Sequence, residues 1–106
     1  MTPLEVISEP RRREILARLS ELGESPVGAL AELIDISRPA VSQHLKVLRE
    51  AGMVDERQAG RQRLYRLNAE GIAQARLAIE LFLINELDDL ETSARDLSKK
   101  ARITDG

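Results

Sequence analysis

With 106 residues, 42% of them hydrophobic and 32% charged, the chain has the size and balance of one folded globular domain rather than a disordered segment. It has no cysteine, which excludes disulfides, thiolate metal ligation and thiol redox chemistry. The net charge of −2 hides a division: Asp35–Leu67 holds seven basic and four acidic residues, whereas Asn68–Gly106 holds five and eight. No stretch approaches the ~18 apolar residues of a membrane span and no secretory pattern opens the chain, so a cytoplasmic protein with no membrane partner is expected.

Leu4, Val6 and Ile7 predict a short opening helix that ends near Pro10. Pro10, with Glu9 ahead of it, opens a second helix whose buried stripe is Ile15, Leu16 and Leu19 and which Gly23 stops. Ser25-Pro26 reads as the start of a third helix, a hydroxyl cap followed by proline at the first helical position, with Val27, Leu30 and Ile34 inward. Asp35-Ile36 leaves room for a tight turn, and Ser37 then caps a fourth helix that Gly52 ends. Two short helices joined in this way form a helix-turn-helix. Beyond Gly52, Met53–Arg57 and Arg61–Leu67 read as strands joined across Gln58-Ala59-Gly60, with Tyr65 and Leu67 turned inward. Asn68 caps a last helix expected to run to about Leu97. The expected fold is mainly α with a small β-hairpin, a winged helix-turn-helix of order α-α-α-α-β-β-α. Residues 1–106 are expected to form a single DNA-binding domain in which 68–97 serves as the dimerisation helix.

On a 100° wheel the fourth helix separates cleanly. Val41, Leu45 and Leu48 fall on the core side, and Pro39, Ser42, Gln43 and Lys46 on the opposite side. The helix start, with Ser37, Arg38 and Pro39, is suited to phosphate through its unpaired backbone N–H groups, of which Pro39 itself has none. Ser42 and Gln43 have the reach and polarity to meet base edges, while Arg38, Lys46 and Arg49 suit guanine or phosphate. His44, the single histidine, is placed either to meet a phosphate or the base of the wing, or to pack as a satisfied boundary residue. A polar helix face alone is usually just solvated, but Arg57–Arg66 adds four arginines with no carboxylate among them. Arg57, Arg61 and Arg63 therefore join the expected DNA-binding set.

The run Ser37-Arg38-Pro39-Ala40-Val41-Ser42-Gln43-His44-Leu45-Lys46-Val47-Leu48-Arg49-Glu50-Ala51-Gly52 resembles the recognition-helix signature of the ArsR family of bacterial winged-helix repressors. Glu9-Pro10-Arg11-Arg12-Arg13-Glu14-Ile15-Leu16 is similar to that family's first long helix, and Gly60-Arg61 through Tyr65-Arg66-Leu67 to its wing. The resemblance covers about Leu4 to Leu67. It implies a homodimer with paired terminal helices that represses by occupying an operator in double-stranded DNA until a signal relieves it, with a small molecule, a protein partner or control by protein concentration as the open choices. The family's thiolate metal site would fall at Pro26 and Gly28, which offer no ligand atoms, and its other common site wants histidines that the last helix lacks. The chain thus resembles a branch that senses no metal, and no metal ligand or cofactor is expected.

Between Ile72 and Ile84 the last helix is apolar nearly all round, which implies two burial surfaces, one on its own domain and one on a second subunit. Leu83, Leu87, Leu90, Ala94 and Leu97 continue it as a heptad seam. The expected dimer contacts are Leu4, Ile7, Ile72, Ile79, Phe82, Leu83, Leu87, Leu90 and Leu97. No nucleophile with its base, phosphate-cradling glycine loop or paired carboxylates emerges, so no catalytic residue is assigned. The competing reading is a winged helix used as a protein-interaction module without specific DNA binding.

Overall fold

The computed structural model describes the backbone of residues 1–105 and the side chains of 1–92 and 94. It contains two compact units, Met1–Arg76 and the length of the last helix from Leu77 onward. No helix among the described residues is long and apolar enough to cross a membrane.

Helix α1 (Pro3–Ser8) opens with a capping box. The Thr2 hydroxyl accepts the Glu5 N–H at 3.2 Å, and the Glu5 carboxylate accepts the Thr2 N–H at 3.0 Å. Helix α2 (Pro10–Leu22) follows at once, with the Glu9 side chain accepting the Arg12 N–H. The arginine triplet at its start is spent on helix ends. Arg12 Nε donates to the Val6 carbonyl at 2.6 Å, Arg13 to the Ile7 carbonyl at 2.7 Å, and Arg11 to the Ile34 carbonyl at 3.4 Å. These are carbonyls that helix geometry leaves without partners, so the triplet ties helices together.

Ser25-Pro26 does not start a helix as the sequence suggests. It forms a two-residue strand, β1, paired antiparallel with Tyr65 and Leu64. The Ser25 hydroxyl is turned back to the Gly23 carbonyl at 3.0 Å, so it caps nothing, and proline is tolerated because β1 is an edge strand. Helix α3 (Val27–Ile34) therefore begins one residue later, on Pro26 and without a side-chain cap. The turn to α4 (Arg38–Glu50) is made by Asp35 in the left-handed region at φ 59°, a conformation aspartate tolerates better than most residues.

Strands β2 (Val54–Ala59) and β3 (Gln62–Leu67) pair with Ala59 opposite Gln62, and the sheet order is β1-β3-β2. The hairpin turn is thus Gly60-Arg61, with Gly60 at φ 62°, and Gln58 and Ala59 belong to the strand rather than the loop. Val6, Ile15, Leu19, Leu30, Val41, Leu45, Leu48, Met53 and Val54 form one core, closed on the sheet side by Tyr65. Helix α5 (Ala69–Asp105) runs beyond the expected end near Leu97. Asn68 fixes its start: Oδ1 accepts the Gly71 N–H at 2.8 Å, and the side-chain amide donates to Asp55.

Gly71 meets the end of α4 so closely that a Cβ there would lie 1.7 Å from the Gly52 carbonyl oxygen. Gly71→Ala should therefore push α5 off the Gly52 turn and cost about 1–3 kcal/mol or more in urea unfolding. An unfolding midpoint equal to that of the wild type would show that this contact constrains nothing.

Candidate nucleic-acid interface

Helix α4 is held by one face and presents the other. The Ser37 hydroxyl accepts the Ala40 N–H at 3.2 Å, Pro39 occupies the first turn, and Val41, Leu45 and Leu48 are fully buried. Burying each of these aliphatic side chains contributes roughly 1.5–3 kcal/mol, which fixes the helix in rotation. Ser37, Arg38, Pro39, Ser42, Gln43, Lys46 and Arg49 are all exposed in consequence. Arg38, Ser42, Lys46 and Arg49 line a groove of about 710 Å³ together with Arg61 and Arg63 of the wing. Ser37, Pro39 and Gln43 lie on the exposed surface of α4 outside the groove lining.

The arginines of the hairpin are not left without carboxylates. Arg57 forms a two-point ion pair with Glu24, Nε to Oε2 at 2.7 Å and Nη2 to Oε1 at 2.6 Å. Arg66 lies 3.9 Å from Asp55, its cross-strand partner, and Arg63 lies 3.8 Å from Glu56. Arg49, on α4, is ion-paired with the same Glu56 oxygen. The expectation of an uncompensated cluster is thus corrected: Glu24, Asp55 and Glu56, supplied from outside the Arg57–Arg66 run, answer three of its arginines. Among the described residues Arg38, Lys46 and Arg61 have no ion-pair partner. The free cations of the groove are therefore two on α4 and one at the wing turn.

The profile of the family described as "Bacterial regulatory protein, arsR family" matches residues 9–56, from the start of α2 into β2. An HTH-type transcriptional regulator of Mycobacterium tuberculosis is 44% identical over 78 residues, covering 74% of this chain and 72% of that protein. The chain belongs to the arsR family. The arsenical resistance operon repressor of Escherichia coli is 33% identical over 95 residues, covering 90% of this chain and 81% of the other. A crystal structure described as a possible transcriptional regulator for arsenical resistance shares 46% identity, covers 88% of this chain and 96% of its own, and superposes with a TM-score of 0.75. The winged helix-turn-helix is thereby the fold of this arsR-family member, with β1 as a third strand.

The remaining candidates of this arsR-family chain are scattered. His44 is half-buried, with Nε2 3.9 Å from a Glu9 carboxylate oxygen, on the flank of α4 rather than in the groove. Ile7 and Ile72 are half-buried against the core, and Leu4 is exposed. Ile79 is half-buried, and Phe82, Leu83, Leu87 and Leu90 are exposed. The Leu97 side chain lies outside the described residues. Among the described residues no cluster of three or more histidine, aspartate or glutamate side chains is placed to hold a metal.

Sequence reasoning missed Glu24 and Glu56. The Arg57 guanidinium, by hydrogen bonding first, holds the Glu24 carboxyl below its usual range. Burial, and then the Glu56 carboxylate, push the Tyr65 phenol above its usual range. The signal for Glu56 was the hairpin register: once Gly60-Arg61 is the turn, Glu56 faces Tyr65 and stands diagonal to Arg63. Glu24 had no such signal, because it depends on β1.

Proposed function

We propose that this chain is a sequence-specific DNA-binding repressor of the cytoplasm that works as a homodimer on an inverted-repeat operator and does not respond to metal ions. The observation that carries the reading is the exposed face of α4. Arg38, Ser42, Gln43 and Lys46 stand opposite the fully buried Val41, Leu45 and Leu48, and Arg61 stands across the groove. A helix of this kind enters the major groove with its first turns against base edges, while a wing contacts the backbone. Ser42 and Gln43 are the base readers, glutamine being able to address adenine through two hydrogen bonds. Ser37, Arg38, Lys46 and Arg61 supply phosphate contacts, and Pro39, with no N–H to donate, makes apolar contact beside them. Arg49, Arg57 and Arg63 contribute less, since each already faces a carboxylate. His44 packs beside Glu9 as a boundary residue on the flank of α4. The names of relatives in Agrobacterium fabrum and Bacillus subtilis as repressors support the direction of regulation.

Residues 1–106 act in this reading as one regulatory domain, with 68–97 as its dimerisation helix. Leu77, Leu81, Phe82, Leu83, Ile84, Leu87 and Leu90 are each between 46% and 66% exposed, more apolar surface than a monomer leaves in water. Pairing of two such helices about a two-fold axis would cover this surface and place two recognition helices on half-sites about one DNA turn (~34 Å) apart. The absence of cysteine speaks against thiolate metal sensing.

Gln43→Ala should cost about 1–3 kcal/mol on DNA from upstream of the chain's own gene and little on random DNA, measured by fluorescence anisotropy. Micromolar zinc, cadmium, nickel or arsenite should leave the complex intact. Equal losses on both DNAs would remove Gln43 from base reading, and release by any of the metals would overturn the metal-independent reading. Leu83→Glu combined with Leu87→Glu should shift the protein from dimer to monomer in sedimentation equilibrium. A wild type that sediments as a monomer at micromolar concentration would contradict the dimer.

A further inference from the structure

We propose that Glu56 is an internal competitor for the DNA backbone: by holding Arg49 and Arg63 it keeps general DNA affinity below what the arginines of the groove would otherwise give. The inference rests on the DNA-binding reading above and names a control on that same site. Arg49 stands in the last turn of α4 and Arg63 on β3, yet the Nη1 atoms of both converge on one oxygen, Glu56 Oε1. The Glu56 side chain is only 25% exposed, and its Oε2 is buried without a hydrogen-bond partner. A phosphate entering the groove meets this carboxylate beside the two guanidiniums, and must take each of them from it.

A purely structural role explains the arrangement less well. Helix α4 is already fixed by its buried face, and the wing is fixed by its pairing with β1. Partly exposed ion pairs add little to stability. What the carboxylate does change is the charge offered to a polyanion. Each guanidinium that neutralises a phosphate releases close to one counterion, so holding two of them back flattens the salt dependence of binding. Base readers on α4 are untouched, and the effect is the same for every sequence.

The test is fluorescence anisotropy on a random-sequence duplex and on the gene's own upstream duplex, across a series of salt concentrations. Wild type, Glu56→Gln, Arg49→Gln and the double variant are compared. Glu56→Gln is expected to bind both duplexes several-fold more tightly at about 0.1 M salt, with a slope steeper by about one to two ion equivalents. Arg49→Gln alone is expected to change little, and in the double variant to remove much of the gain. Weaker binding by Glu56→Gln, or an unchanged slope, overturns the proposal. If Glu56→Gln does not melt cooperatively, Arg49→Gln and Arg63→Gln decide. A loss of less than half an ion equivalent in each supports competition, and a larger loss in either overturns it. A wild type without salt-dependent binding to either duplex defeats the DNA reading itself, whereas wild-type binding with an indifferent Glu56→Gln defeats this inference alone.

Discussion

Val41, Leu45 and Leu48 are the hinge of the architecture, for they leave α4 one way to lie. All three are fully buried in a core shared with Ile15 of α2 and Leu30 of α3. A rotation of α4 by even a third of a turn would expose one of them and bury a charged or amide side chain in its place, at a cost of several kcal/mol. The polar residues between them therefore need no interaction of their own to be presented. Caps and turns serve the same end. Ser37 starts the helix, Asp35 reverses the chain in two residues, and the Gly52–Gly71 approach brings α5 against the helix end.

Charge is the second layer, and its organisation is subtractive. The chain has 16 lysines and arginines, but those near the site are largely committed elsewhere. Arg11, Arg12 and Arg13 close helix ends, Arg57 is held by Glu24, and Arg49 and Arg63 share Glu56. Arg38, Lys46 and Arg61 are what remains. A counted basic patch thus overstates the charge this surface can offer, and the positions of carboxylates matter as much as those of arginines. Because exposed pairs are weak, a phosphate can still displace a partner. The pairing sets how steeply affinity depends on salt rather than whether binding occurs.

Much of this was legible in the amino-acid sequence, and the part that was not has a common cause. The faces of α4 follow from helical periodicity, and the caps Ser37 and Asn68 from local side-chain chemistry, so both could be read residue by residue. Strand β1 could not. Ser25-Pro26 satisfies the local rule for a helix start, and only its pairing with β3, some forty residues away, overrides that rule. The same long-range pairing hides the Glu24–Arg57 contact. The hairpin was read correctly as a hairpin but with its turn misplaced. That displacement concealed the Asp55–Arg66 and Glu56–Tyr65 pairs, which follow from the register once Gly60-Arg61 is the turn. The helix-end contacts of Arg11, Arg12 and Arg13 had no local signal, since a guanidinium serves any acceptor within reach.

The exposed face of α4 and the turn of the wing together form the proposed DNA surface of this arsR-family protein. Amide chemical-shift mapping during titration with the gene's upstream duplex tests it most directly. The largest changes are expected at residues 37–46 and 59–63, with the Glu24–Arg57 region little moved. Changes confined to residues 77–90, with α4 unaffected, would contradict it.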